Sequence, residues 1–144
     1  MARNFDGIEV SVAKMRKLVR VVCERFGVSK ATVSIAVVGD AEIAKVNKKF
    51  LNHDCTTDCL SFNLSEKHSV KLFELVVNGE MACREAAERG HSPEAELALY
   101  ITHGLLHNVG FDDATRDEAD KMHQMEDEIL QHEGFGCVYN TSDD

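Results

Sequence analysis

One stretch of the chain combines residue types and spacing that could do chemistry: His103-Gly104-Leu105-Leu106-His107-Asn108-Val109-Gly110-Phe111-Asp112-Asp113. Two histidines four residues apart on a helix project from the same face, so one metal ion can bridge both imidazoles without bending the backbone. Gly110 then ends the helix, because glycine accepts the left-handed conformation that reverses the chain. The reversal brings Asp112 or Asp113 back towards the imidazoles as a third ligand. Three protein ligands leave one position open, the arrangement of a catalytic zinc site, where water in the fourth position has its pKa lowered to about 7. The competing explanation is a buried helix with two incidental histidines, since seven histidines in 144 residues can form one such pair by chance. The stop glycine, the carboxylate beyond it and the apolar helix favour the metal site, because several independent features agree.

These residues need a buried helix and a frame to hold it. Ser92-Pro93 forms an N-cap with proline at the first helical position, and Glu94 and Glu96 fall in the first turn. The helix so begun runs to about Asn108. Leu97, Leu99, Tyr100, Ile101, Leu105, Leu106 and Val109 cover nearly its whole circumference, which predicts a buried central helix. Upstream, Val12, Met15, Val19, Val22 and Phe26 form one apolar stripe on a helix that stops at Gly27. Thr32 to Val38 alternates as a strand, with Val33, Ile35 and Val37 on one face. Asp40 caps a second helix with Ile43, Val46 and Phe50 inward. Leu60, Phe62 and Leu64 alternate with Ser61 and Asn63 as another strand. Val70 to Val77 is a further β-type run, extending past Gly79 to Cys83, and Cys83 to Arg89 is a short helix closed by Gly90. Thr115 and Glu118 form a capping box for the last helix, in which Ala119, Met122, Met125 and Ile129 point inward. Residues from about Gly134 read as a tail, and no repeat, linker or low-complexity segment interrupts residues 1–144, so one α+β domain is expected.

Composition narrows the function. At 44% hydrophobic and 28% charged the chain is globular, and a chain of about 150 residues buries roughly 68–70% of its unfolded surface. No apolar run approaches the ~20 residues that span a bilayer, and Met1 to Ile8 has no signal-type segment, which predicts a cytoplasmic protein with no membrane role. Cys23, Cys55, Cys59, Cys83 and Cys137 are odd in number and form no CxxC pair, so reduced thiols are expected. Cys55 and Cys59, without a partner pair, make a weak case for a second metal site. The net charge of −9 argues against binding nucleic acid through bulk electrostatics, without excluding a nuclease. Acidic residues crowd the last third, whereas Arg3, Lys14, Arg16, Lys17, Arg20, Lys45, Lys48 and Lys49 make the first 50 residues basic. This asymmetry orients a polyanion towards the N-terminal half, unless it is only solvated helix surface.

The spacing His-x3-His-x2-Gly-x2-ligand also occurs in metzincin-type metalloproteases, but their general-base glutamate is replaced here by Gly104, which leaves that peptidase chemistry unsupported. Glycine inside a helix costs about 1 kcal/mol relative to alanine, so substrate or a neighbouring strand is expected close to the backbone at Gly104. The whole stretch resembles the YbeY family of bacterial endoribonucleases and ribosomal RNA maturation factors, whose signature is HGxLHLxGYDH. Thr57-Asp58-Cys59-Leu60-Ser61-Phe62 resembles that family's TDVLSF segment, Asn47 its upstream asparagine, and Gly79-Glu80 the Gly-Asp or Gly-Glu before its third strand. The resemblance covers roughly residues 30 to 130.

It implies an α+β fold with a small mixed sheet packed against helices and a zincin-like metal-binding central helix. It implies one zinc ion, or another divalent metal, on His103, His107 and Asp113. Asp113 stands where the family has a third histidine, and a carboxylate there makes bound water less acidic and favours a harder ion. The family's arginine after an aromatic residue becomes Leu51 after Phe50, which supplies no charged donor. Lys48, Lys49 or Arg3 stand nearby as substitutes, although the lysines also fit a solvated helix end. Asp58 and Ser61 either line the groove beside the metal and orient substrate or water, or serve as a turn residue and a strand's polar face. Asp58, Ser61 and Lys49 are therefore the candidate catalytic residues, and Glu80 fits a structural or surface role better.

The function implied is a metal-dependent, single-strand-specific endoribonuclease in ribosomal RNA maturation and ribosome quality control. Its partners would be single-stranded or ribosomal RNA, with ribosomal proteins or assembly GTPases, and not DNA. The alternatives are a ribosome-assembly factor with a structural metal and little catalysis, or a related metal hydrolase with another substrate.

Overall fold

The computed structural model describes residues 2, 3, 5, 7–28, 30–65 and 71–135, with the backbone alone for Ala2 and Arg3. Its elements run β1 (Ala2–Arg3), α1 (Val12–Arg25), β2 (Ala31–Val38), α2 (Asp40–Leu51), β3 (Cys59–Asn63), β4 (Lys71–Asn78), α3 (Gly79–Arg89), α4 (Pro93–Asn108) and α5 (Arg116–His132). The sheet order is β1-β2-β4-β3, with β1, β2 and β4 parallel and β3 antiparallel at the edge, so the expected α+β class and mixed sheet are found. The two-residue β1 is too short to be announced by alternation.

Side chains alternate across this sheet and divide the apolar residues between two layers. Ile35, Val37, Phe73, Leu75 and Val77 enter the main core with residues of α1, α3, α4 and α5. Val38, Leu60 and Val76 turn to the opposite face, where Ile43 of α2 covers them. Helix α4 touches α1, α3, α5, β3 and β4 and is buried from Ala95 to Thr102, which makes it the central helix expected. Its Ser92 cap accepts from the Ala95 amide at 3.1 Å, and the Thr115–Glu118 capping box starts α5. No helix among the described residues is long and apolar enough to cross a membrane.

Several local expectations are corrected. On α1 the buried side chains are Met15, Leu18, Val22 and Cys23, while Val12 is exposed. Two adjacent apolar stripes compete there, and the one carrying the larger Leu18 faces the core. Strand β3 ends at Asn63, leaving Leu64 exposed beyond it, and Val70 lies outside the described residues. The strand expected to reach Cys83 stops at Asn78, where α3 begins at once. Asn78 is the cause: its Oδ1 accepts the Met81 amide at 2.9 Å as an N-cap, and its Nδ2 donates to Asp40 Oδ1 at 2.8 Å. Gly79 is required at this bend, since a Cβ there would stand 2.8 Å from Val37 Cγ1.

Asp40 is not the cap of α2. Gly39 holds that position, and Glu80 Oε1 accepts the Asp40 amide at 2.9 Å, so Glu80 has the structural role that suited it. The Asp40 carboxylate instead takes both Arg84 nitrogens, at 2.6 and 3.1 Å, and these with Asn78 hold its carboxyl down to about 2. Farther along α2, Asn47 is buried with Ile43, and its Nδ2 donates to the Cys55 carbonyl at 3.1 Å. Phe50, expected inside, is 60% exposed and rests edge-on against Phe62 of the edge strand, beyond the space between the layers.

Candidate metal centre

The last two turns of α4 carry His103 and His107, and their Nε2 atoms approach to 3.1 Å. After the helix Gly110 takes φ +111°, and the Phe111 amide donates back to the Leu106 carbonyl at 2.9 Å. The Phe111 ring meets Phe26 at the end of α1 edge-on, with centroids 5.3 Å apart, which anchors the turn. The reversed chain delivers Asp113 Oδ2 to 3.8 Å from both Nε2 atoms. Asp112 is otherwise engaged, accepting the Asp113 amide at 2.8 Å. A point equidistant from the three atoms lies about 2.1 Å from each, within the usual range for Zn–N and Zn–O bonds. These residues fit a metal ion, and among the described residues no other group of histidine, cysteine and carboxylate ligands converges in this way.

Each imidazole is oriented through its other nitrogen. His103 Nδ1 lies 2.6 Å from Glu126 Oε2, and His107 Nδ1 lies 3.2 Å from the Phe111 carbonyl. With Nδ1–H donating in both rings, the Nε2 lone pairs point at the shared position. Glu126 was missing from the sequence reading, although its signal was available. It sits one turn beyond Met122 on the inward stripe of α5, an acid on an apolar face. It is fully buried, and its Oε1 has no hydrogen-bond partner among the described residues.

Burial alone would lower the proton affinity of His103, but Glu126, with smaller contributions from Asp58 and Asp113, raises it above the ordinary histidine value. The protonated ring therefore stabilises the metal-free fold fully below a pH of about 6.5, and this contribution is lost as pH rises through the raised value. Metal uptake runs the other way, since the ligand must be deprotonated. Glu126→Gln is expected to weaken metal affinity by roughly 10–100-fold and to move the onset of uptake to lower pH. Metal titration of both proteins across pH 5–8 checks this, and superimposable curves would refute the role given to Glu126.

A cavity of about 530 Å³ opens beside His103 and Asp113. Asp58 lines it while Oδ1 accepts the Cys59 amide at 2.7 Å, so the turn role and the groove position coexist in one side chain. Ser61 and Lys49 are not brought there. Ser61 lies behind α4 opposite Gly104, and Lys49 Nζ stands 5.3 Å from the Phe50 ring on α2. Leu51 is likewise exposed on α2. Cys55 and Cys59 do not converge: Asn47 contacts the first sulfur, and the second packs towards Gly104. The close approach at Gly104 comes from the sheet. A Cβ there would stand 2.9 Å from Cys59 Sγ and 2.9 Å from Leu75 Cδ2.

Comparison with known proteins shows the family. The family model described as Endoribonuclease YbeY matches residues 3–134. The chain belongs to the YbeY family. Similar proteins include the Endoribonuclease YbeY of Campylobacter fetus, 37% identical over 107 residues that cover 74% of this chain and 78% of the relative. The Endoribonuclease YbeY of Bacillus licheniformis is 32% identical over 139 residues, covering 88% of each chain. A solution structure of a Thermotoga maritima protein aligns with a TM-score of 0.55 at 23% identity, covering 87% of this chain and 90% of its own, and supports the fold alone.

Proposed function

We propose that this YbeY-family chain is a metal-dependent endoribonuclease that cuts single-stranded RNA during ribosomal RNA maturation and ribosome quality control, in the cytoplasm. The observation carrying this reading is the convergence of His103, His107 and Asp113 beside a cavity, in a family whose relatives are named endoribonucleases. Zinc suits two imidazoles and one carboxylate, while the carboxylate also admits a harder divalent ion. An ion held by His103, His107 and Asp113 would supply Lewis-acid chemistry, able to polarise a phosphoryl oxygen or activate water.

The chain's own residues prepare the centre. Glu126 and the Phe111 carbonyl fix both imidazoles in the ligating tautomer. Asp58 presents a carboxylate to the same cavity, in place to orient substrate or water. Gly104 has no side chain to take the general-base part, and its position faces β3 and β4. The test is cleavage of single-stranded and fully paired RNA by the purified chain, before and after chelation and with zinc restored. Cleavage of the single strand alone, lost on chelation and regained with metal, is expected. Undiminished cleavage by the chelated protein would refute metal dependence, and binding to ribosomal particles without any cleavage would favour an assembly role.

A further inference from the structure

The cavity beside the metal ligands is lined by five carboxylates, Asp58, Glu85, Glu96, Asp113 and Glu126. A phosphodiester entering it needs a fixed positive charge besides any metal. Leu51 and Lys49 do not line the cavity, and among its lining residues only Arg89 carries a permanent positive charge. Arg89 ends α3 with its side chain 39% exposed, and its Nη1 donates to Glu96 Oε2 at 3.2 Å. Glu96 is wholly buried, and its other oxygen lies 2.5 Å from His91 Nε2. The carboxylate is thus held from two sides, and it clamps the guanidinium from behind. One fork nitrogen is occupied, and a guanidinium has five N–H donors in a rigid plane.

We propose that Arg89 is the phosphate-binding residue of this site, contacting an RNA phosphate adjacent to the one that is cut. Glu96 precedes His103 by seven residues on α4, a rise of roughly 10 Å, so a group docked on Glu96 stands apart from the metal ligands along the same cavity. That separation assigns Arg89 to a neighbouring phosphate and not to the scissile one. It is a positioning residue, doing from α3 what the family's arginine position, Leu51 in this chain, cannot do. The assignment rests on the endoribonuclease reading above.

The experiment scans a single-stranded RNA substrate with one neutral methylphosphonate at a time, leaving the scissile linkage intact, against wild type, Arg89→Gln and Arg89→Lys. Metal content and thermal melting are recorded for each protein. With wild type, one position near the cut is expected to lower kcat/KM by roughly 10–100-fold, the size of one lost charge-assisted hydrogen bond. Arg89→Gln shows that loss already with natural RNA and no further loss at that position. Lysine restores part of it, keeping Glu96 paired but lacking the fork. If Arg89→Gln fails to fold because buried Glu96 keeps only His91 as a partner, Arg89→Lys carries the comparison. Identical methylphosphonate profiles for wild type and a folded, metal-loaded variant would overturn the proposal. A wild type that cuts no RNA overturns the endoribonuclease reading instead. The role of Arg89 is then decided by binding of an uncleavable 2′-O-methyl strand, where Arg89→Gln is expected to reduce the slope of log K against log salt by about 0.7.

Discussion

His107→Ala is expected to leave a folded protein that neither retains metal nor cuts RNA. The side chain is 30% exposed, and its hydrogen bond to the Phe111 carbonyl is local, so its removal leaves the core intact. What it does remove is one of the three proposed ligands, whose atoms surround a single position. The loss in affinity should exceed the roughly 10–100-fold expected for an outer partner such as Glu126. Elemental analysis of protein purified without added metal reads the outcome directly: about one ion per wild-type chain and none in the variant, with cleavage falling in parallel. Retained metal would exclude His107 as a ligand. Lost metal with full cleavage would separate the centre from the chemistry.

Gly104→Val should destabilise the fold strongly. Its Cβ would meet Cys59 Sγ and Leu75 Cδ2, both at 2.9 Å, and the added methyl groups have only the packed face of the sheet to enter. Overpacking of this kind costs about 3 kcal/mol, and a β-branched residue in a helix adds to it. Gly104→Ala is the informative control. Alanine gains about 1 kcal/mol in helix propensity while meeting the same two atoms, so the two effects nearly cancel. Urea unfolding is expected to show a clear drop in midpoint for valine at unchanged m, and little change for alanine. Equal midpoints for valine and wild type would mean that β3 and β4 yield at this contact.

The difference between what could and could not be foreseen in the sequence follows from how far each signal travels. The placement of α4, its Ser92 cap, the turn at Gly110 and the capping box at Thr115 are local patterns, and each was legible. The joint approach of His103, His107 and Asp113 was legible for the same reason, since the three lie within eleven residues. Glu126 reaches His103 across 23 positions, and only the docking of α5 makes that contact. Arg89 likewise meets the same cavity through tertiary packing, whereas the place of Asp58 at the groove was expected from the family resemblance. Ser61 on β3 faces Gly104 and Lys49 lies on α2, and neither lines the cavity, because which end of α4 each element reaches is set by tertiary packing and not by nearness in sequence. The strand expected through Cys83 failed at Asn78, whose capping bond to Met81 overrides a long β-type run.

The pairing of His103 with a carboxylate on α5 has a temporal consequence. A chain that has formed α4 but not yet seated α5 holds His107 in its ligating orientation and leaves His103 free to turn. An ion held on His103, His107 and Asp113 would then bind most tightly only after the C-terminal helix is seated. The same dependence would act on loss: an opening of α5 would release one ring and ease the departure of an ion held there. The residence time of such an ion would then report how well the end of the chain is latched to its middle.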